Sequence, residues 1–184
     1  MRLFFTGALT ALVVLMLVGA GVAAMGLIPT NADTRPSAME SWMASFTMDA
    51  SIHRHAPKIK SPLTSSPANM IEGMKLYAMN CSACHGGFDM KECELGLALY
   101  PPAPNLITEP LDEPDWMVFY MIQRGLRLTG MPAWNTLLTD TERWKITAFL
   151  LGMEKLPDEV RTYWKNTFGK DAPAGKYVIG RQAM

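Results

Sequence analysis

The sequence predicts an all-α chain, with an N-terminal transmembrane helix ahead of one helical domain. Three observations carry this expectation. Leu3–Ile28 contains no charged residue, and at about 1.5 Å per residue it can cross roughly 30 Å of hydrocarbon. Downstream, helix-start signals precede apolar residues at helical spacing: Asn69 with Glu72, and Thr139 with Glu142. No stretch alternates as a half-buried strand would, and no segment repeats.

The N-terminal run comes first. Residues 1–29 read as a membrane anchor, and Arg2 ahead of the run favours a cytoplasmic N-terminus. The competing reading is a cleaved signal peptide, processed near Gly21, Ala23 and Ala24. The run is longer than a signal-peptide core of roughly 7–15 residues. Both readings put the remaining chain outside the cytoplasm.

Residues 30–68 read as an extended tether. Met39–Ile52 can hold a short helix with Trp42, Met43, Phe46 and Met48 on its apolar side. Pro57, Pro62 and Pro67, with Ser61, Thr64, Ser65 and Ser66 between them, make an extended stretch. His53 and His55 fall in this tether. They read as solvated residues; the functional alternative is a metal site or a second axial ligand.

The folded domain is expected over 69–153. Its first helix starts at Asn69, places Met70, Met74, Tyr77 and Cys81 on one side, and runs into Cys81–His85. Lys91–Pro110 reads as loop. A second helix opens at Asp112–Asp115, where acids favour the first turn, and stops at Gly125. Arg127–Leu137 is a loop containing Gly130, Met131 and Pro132. The Thr139 helix runs to Gly152. Residues 154–184 hold a last helix, Asp158–Phe168, and a tail. Its Val160, Tyr163, Trp164 and Phe168 either fold back on the domain or meet a partner subunit.

Charge and composition narrow the function. Lys+Arg and Asp+Glu both number 17, for a net charge of zero. Nucleic-acid binding draws on a basic excess, so no nucleic-acid partner is expected. The 15 methionines read mainly as core filler.

The chemistry sits in Cys81-Ser82-Ala83-Cys84-His85, a C-x-x-C-H run that signals covalent haem c attachment. Two thioether bonds would fix the porphyrin against one turn of chain, and the adjacent His85 would be held under the iron as an axial ligand. The alternatives are a Cys81–Cys84 disulfide or a zinc site using Cys81, Cys84, Cys93 and a histidine. Met131 is the candidate sixth ligand. It sits on a loop after a helix, between Gly130 and Pro132, which constrain the backbone path. Met121, on a helix face, reads as core. With His and Met ligation no open site remains on the iron, and the thioether raises the potential relative to a second histidine. The expected chemistry is a reversible one-electron step. No acid–base pair or activated nucleophile stands out, so the reading is an electron-transfer protein, alone or as a subunit of an oxidoreductase complex, rather than an enzyme in its own right. Cys93 reads as inert, with an intermolecular disulfide as the alternative. Trp116 and Trp144 read as packing, and Trp134 as a shield at the haem edge. Arg124 and Arg127 either reach a haem propionate or lie solvated.

These residues carry a family resemblance over roughly Asn69–Gly152. The chain resembles the bacterial, membrane-anchored class I c-type cytochromes with a single haem. Gly73 and Tyr77 match the family's Gly-x-x-x-aromatic pattern, and Ile146 and Phe149 match the last-helix positions that pack there. Pro104 and Leu106 resemble the proline and leucine that flank the proximal histidine. Pro104 lies further past His85 than in short mitochondrial forms, and Pro101 and Pro102 compete with it. Gly130-Met131-Pro132 matches the setting of the family's methionine ligand. The resemblance implies one covalent haem c. It also implies a carrier or subunit passing electrons between respiratory or photosynthetic membrane complexes. The partners would be a membrane oxidoreductase complex or another redox protein, and lipid around the N-terminal helix. The location would be the bacterial inner membrane, single-pass, with the haem domain facing the periplasm. Two alternatives stay open: a haem-based sensor or enzyme with a displaceable Met131, and a zinc-stapled assembly subunit without a redox role.

Overall fold

Helix α1 spans Arg2–Ala24 and buries none of its side chains. These and the following elements belong to a computed structural model that describes residues 1–173; the predicted tail beyond them lies outside the described residues. The chain divides into two compact units, Met1–Asn31 and the residues from Ala32 onward. The first unit is α1 and its exit. Its mean hydropathy of 2.3 and its 23 residues suffice to cross a membrane, and a signal sequence has the same properties.

The second unit is helical throughout its described residues, and no strand forms there. Helix α2 spans Ala38–His55, which corrects the expectation of an extended tether interrupted by a short helix. Ser37 caps it by accepting the Glu40 N–H at 3.2 Å. Pro57 keeps Ala56 extended and ends it. His53 and His55 therefore lie in a helical last turn, where a partial negative charge suits basic groups. Ile52 and Ala56 are buried with Met117 of a later helix, and the His53 ring meets Trp116 edge-on at 5.5 Å. Tertiary burial lengthens α2 beyond its own apolar stripe. That stripe, Met39, Trp42, Met43 and Phe46, is exposed.

Helix α3 spans Pro67–Asn80, three residues earlier than an Asn69 cap predicts. Ser66 is the cap, accepting from the Asn69 N–H at 3.3 Å, and Pro67 occupies the first turn, where its missing N–H costs nothing. Asn69 instead donates to the Thr64 carbonyl, and Glu72 pairs with Lys75. After Cys81 the short helix α4, Ser82–His85, carries the C-x-x-C-H turn. The expected loop after it contains one helical turn, α5, Glu94–Leu97, begun by the Cys93 thiol accepting from Gly96 N–H. Helix α6 is Asp115–Arg124 and stops at Gly125. Helix α7, Asp140–Gly152, opens on the predicted capping box, with both Thr139–Glu142 bonds made. A 3-10 turn, Met153–Lys155, leads to α8, Asp158–Phe168, closed by the left-handed Gly169.

Close packing of α3 on α7 organises this unit. A Cβ at Gly73 would collide with the Lys145 carbonyl oxygen and sit 3.0 Å from Phe149 Cβ, so only glycine lets the two backbones approach this far. Met74, Tyr77, Ile146 and Phe149 are fully buried at the crossing. Helix α8 folds back on the same core: Val160 and Trp164 are fully buried, and Trp164 meets Phe88 edge-on at 4.7 Å. Its apolar face is spent inside the chain, which is the fold-back alternative.

Two outcomes follow for stability. Gly73→Leu should lower unfolding free energy by about 1–3 kcal/mol through overpacking, read from denaturant titration. Trp164→Ala should cost about 3–5 kcal/mol, as for other buried aromatic truncations. A thermal midpoint equal to wild type would show α8 undocked.

Candidate haem site

The turn after α3 is built around His85. Its Nδ1 lies 2.9 Å from the Pro104 carbonyl oxygen. A carbonyl only accepts, so Nδ1 carries the proton in this bond and Nε2 keeps a free lone pair, the tautomer that suits a metal ligand. The Leu106 N–H donates to the His85 carbonyl at 2.9 Å. Pro104 and Leu106 thus reach the same histidine from two sides, and Pro101 and Pro102 make neither contact. The next residue, Gly86, has φ +88°, and a Cβ there would collide with the Asn105 amide. Asn105 accepts from the Ile107 and Thr108 N–H groups and donates to the Lys91 carbonyl. It holds the return of this loop.

The thiols stand one turn apart on the same segment. Cys81 and Cys84 are free and partly buried. Burial, with the neighbouring Cys84, pushes the Cys81 thiol up to about 12. Cys81 and Cys84 are the residues that would hold a haem c through thioether bonds. The Cys93 thiol points elsewhere, at the Ala83 carbonyl, 2.8 Å away. Among the described residues no three His, Cys, Asp or Glu side chains gather as metal ligands. Cys81 and Cys84 form no disulfide in this structure.

Met131 sits in a loop pinned at both of its backbone groups. Its N–H donates to Thr129 Oγ1 at 3.1 Å, and its carbonyl accepts the Leu126 N–H at 3.2 Å. The Thr129 hydroxyl closes the turn on Leu126 O at 2.7 Å. Met131 and Cys81 are partly buried against the one core cluster that includes Leu106. The neighbouring Gly130 lies against Leu99, from the segment after α5. Trp134 follows, partly buried on that core, with its N–H on the Ile122 carbonyl. Arg124 and Arg127 are exposed.

Arg143 anchors this loop and was not singled out from sequence. It is 3% exposed. Its Nη1 donates to the Trp134 and Leu138 carbonyls, and its Nη2 pairs with Asp140. Its guanidinium lies over Phe119, 5.7 Å from the ring centre. The Asp140/Arg143 spacing in a first helical turn was the available signal, but it looks the same for a solvated surface pair.

Two thiols one turn apart and an adjacent imidazole with Nε2 free are the groups that covalent haem c attachment uses, so the residues present fit that group. The comparisons agree with the geometry. The family described as cytochrome c oxidase, cbb3-type, subunit III matches residues 68–150. No curated protein and no solved structure matches the chain. Residues 68–150, from the first turn of α3 almost to the end of α7, match a c-type cytochrome domain.

Proposed function

We propose that this chain is a membrane-anchored one-electron carrier or oxidase-complex subunit holding a single haem c. Cys81 and Cys84 carry the thioether bonds, and His85 and Met131 are the axial ligands. The observation that carries this reading is the His85 imidazole. It is braced by the Pro104 carbonyl at 2.9 Å with Nε2 free, inside a C-x-x-C-H turn. Pro104 and Leu106 hold that ring and its backbone in place. Haem c supplies reversible one-electron chemistry between ferrous and ferric iron. The chain's own part is to keep both axial groups fixed, so that little rearranges when the charge changes. The pinned Met131 backbone and the buried Arg143 clamp serve that end on the second side.

The match to subunit III of a cbb3-type oxidase supports a membrane oxidoreductase complex as partner. In this reading α1 stays attached, lies in the bacterial inner membrane with lipid around it, and keeps the haem domain in the periplasm. An anchored domain meets its partner at a high effective concentration. Neutral net charge leaves proximity, more than charge steering, to govern docking.

Met131 gives the sharpest test. Met131→Ala should retain haem but bind carbon monoxide when reduced, and Met131→His should lower the potential. A Met131→Ala protein with wild-type spectrum and potential would remove Met131 from the ligand set. A reduced wild type that itself binds carbon monoxide would favour the sensor or enzyme alternative.

A further inference from the structure

We infer that the Tyr77 hydroxyl is a positioning group for His85: it ties the backbone of the axial histidine to the α3–α7 crossing and helps set the reduction potential. This inference rests on the proposed role of His85 as a haem ligand. Tyr77 is fully buried. Its ring lies 5.6 Å from Phe149 and 5.8 Å from Phe88, so its packing role belongs to the ring. The hydroxyl is not needed for that role, because phenylalanine would fill almost the same volume. It points instead into the ligand turn. It donates to the His85 carbonyl at 2.7 Å and to the Gly86 carbonyl at 2.9 Å.

One proton therefore serves two carbonyls of the ligand's own peptide units. The Leu106 N–H also reaches the His85 carbonyl, and the Pro104 carbonyl holds the ring. The 104–106 strand of chain thus supplies two braces, and α3 supplies the third through Tyr77. The Tyr77 carbonyl meanwhile accepts the Cys81 N–H at 2.9 Å. One residue thereby fixes both ends of the C-x-x-C-H turn. A phenol keeps its proton at neutral pH, so the hydroxyl is a neutral donor there. Its O–H dipole sets a positive end against the ligand peptide, which favours the ferrous state. Losing it leaves the buried Gly86 carbonyl without this donor and favours the ferric state.

The test uses the full-length holoprotein. Tyr77→Phe should retain haem, lower the reduction potential and shift the ferric electron paramagnetic resonance spectrum. Phe149→Leu loosens the same crossing but keeps the hydroxyl; it should lower the melting temperature and leave the potential alone. The inference is overturned if Tyr77→Phe changes only the melting temperature, or if Phe149→Leu moves the potential equally. Should Tyr77→Phe fail to accumulate with haem, 3-fluorotyrosine at position 77 offers a stronger donor of nearly the same size. It should raise the potential, and an unmoved value would overturn the inference. A wild type lacking a pyridine haemochrome band would overturn the haem reading itself. A haem-bearing wild type with an insensitive Tyr77→Phe would overturn this inference alone.

Discussion

Where α3 passes α7, the helix backbones meet at Gly73 and Lys145 without an intervening side chain. Everything else in the cytochrome domain is positioned from that approach. It brings Tyr77 onto Phe149 and lets Met74 and Ile146 bury fully. Full burial of such side chains contributes about 1.5–3 kcal/mol each relative to exposure. The C-x-x-C-H turn begins one helical turn beyond Tyr77, so its place in space is inherited from the crossing. Phe88, three residues past His85, returns to the same cluster and receives α8 through Trp164 and Phe168. Core and cofactor site are one assembly, and the chain between His85 and Phe88 is short enough to make them move together.

The Met131 side of the site is organised differently. In the loop from Leu126 to Leu138, the packing of Met131, Trp134 and Leu138 is joined by hydrogen bonds to the loop backbone. Arg143 is the centre of this arrangement. Burying a guanidinium is costly unless its donors are met, and here two carbonyls, Asp140 and the face of Phe119 share it. Its Nε finds no partner among the described residues, as does the indole nitrogen of Trp164. A charge bound to carbonyls of a loop resists loop movement more than apolar packing does, because any opening strands the cation. In the proposed His85/Met131 ligation, a loop that resists opening suits a second axial position that stays filled.

The stretch between His85 and Pro104 links these two sides. Cys93 bonds the Ala83 carbonyl in the attachment turn, and Leu99 lies against Gly130 beside Met131. Tyr100 donates to Glu40 at 2.6 Å and so joins α2 to the same stretch. The extra length relative to short forms is thus used for contacts, not left as a solvent loop. It also accounts for α2 being a helix anchored at both ends: Tyr100 meets its first turn, and Met117 of α6 packs on its last.

By itself the sequence determined the features that depend on neighbouring residues. The charge-free run Leu3–Ile28, the Thr139–Glu142 capping box, the stops at Gly125 and Gly169 and the Cys81–His85 attachment turn are all local patterns. The choice of Pro104 and Leu106 came from family likeness, and both reach His85. The α3 start was misread by three residues because Ser66 and Asn69 are both competent caps, and only the path of Thr64–Ser66 decides between them. The length of α2 was misread because its last turn is held by burial of Ile52 against Met117, a residue remote in sequence. Tertiary structure alone decided the roles of Tyr77's hydroxyl, Asn105 and Arg143. Some of their partners are near in sequence and some are not, and a polar side chain in a sequence carries no mark of whether its hydrogen bonds will go to water or to a buried carbonyl.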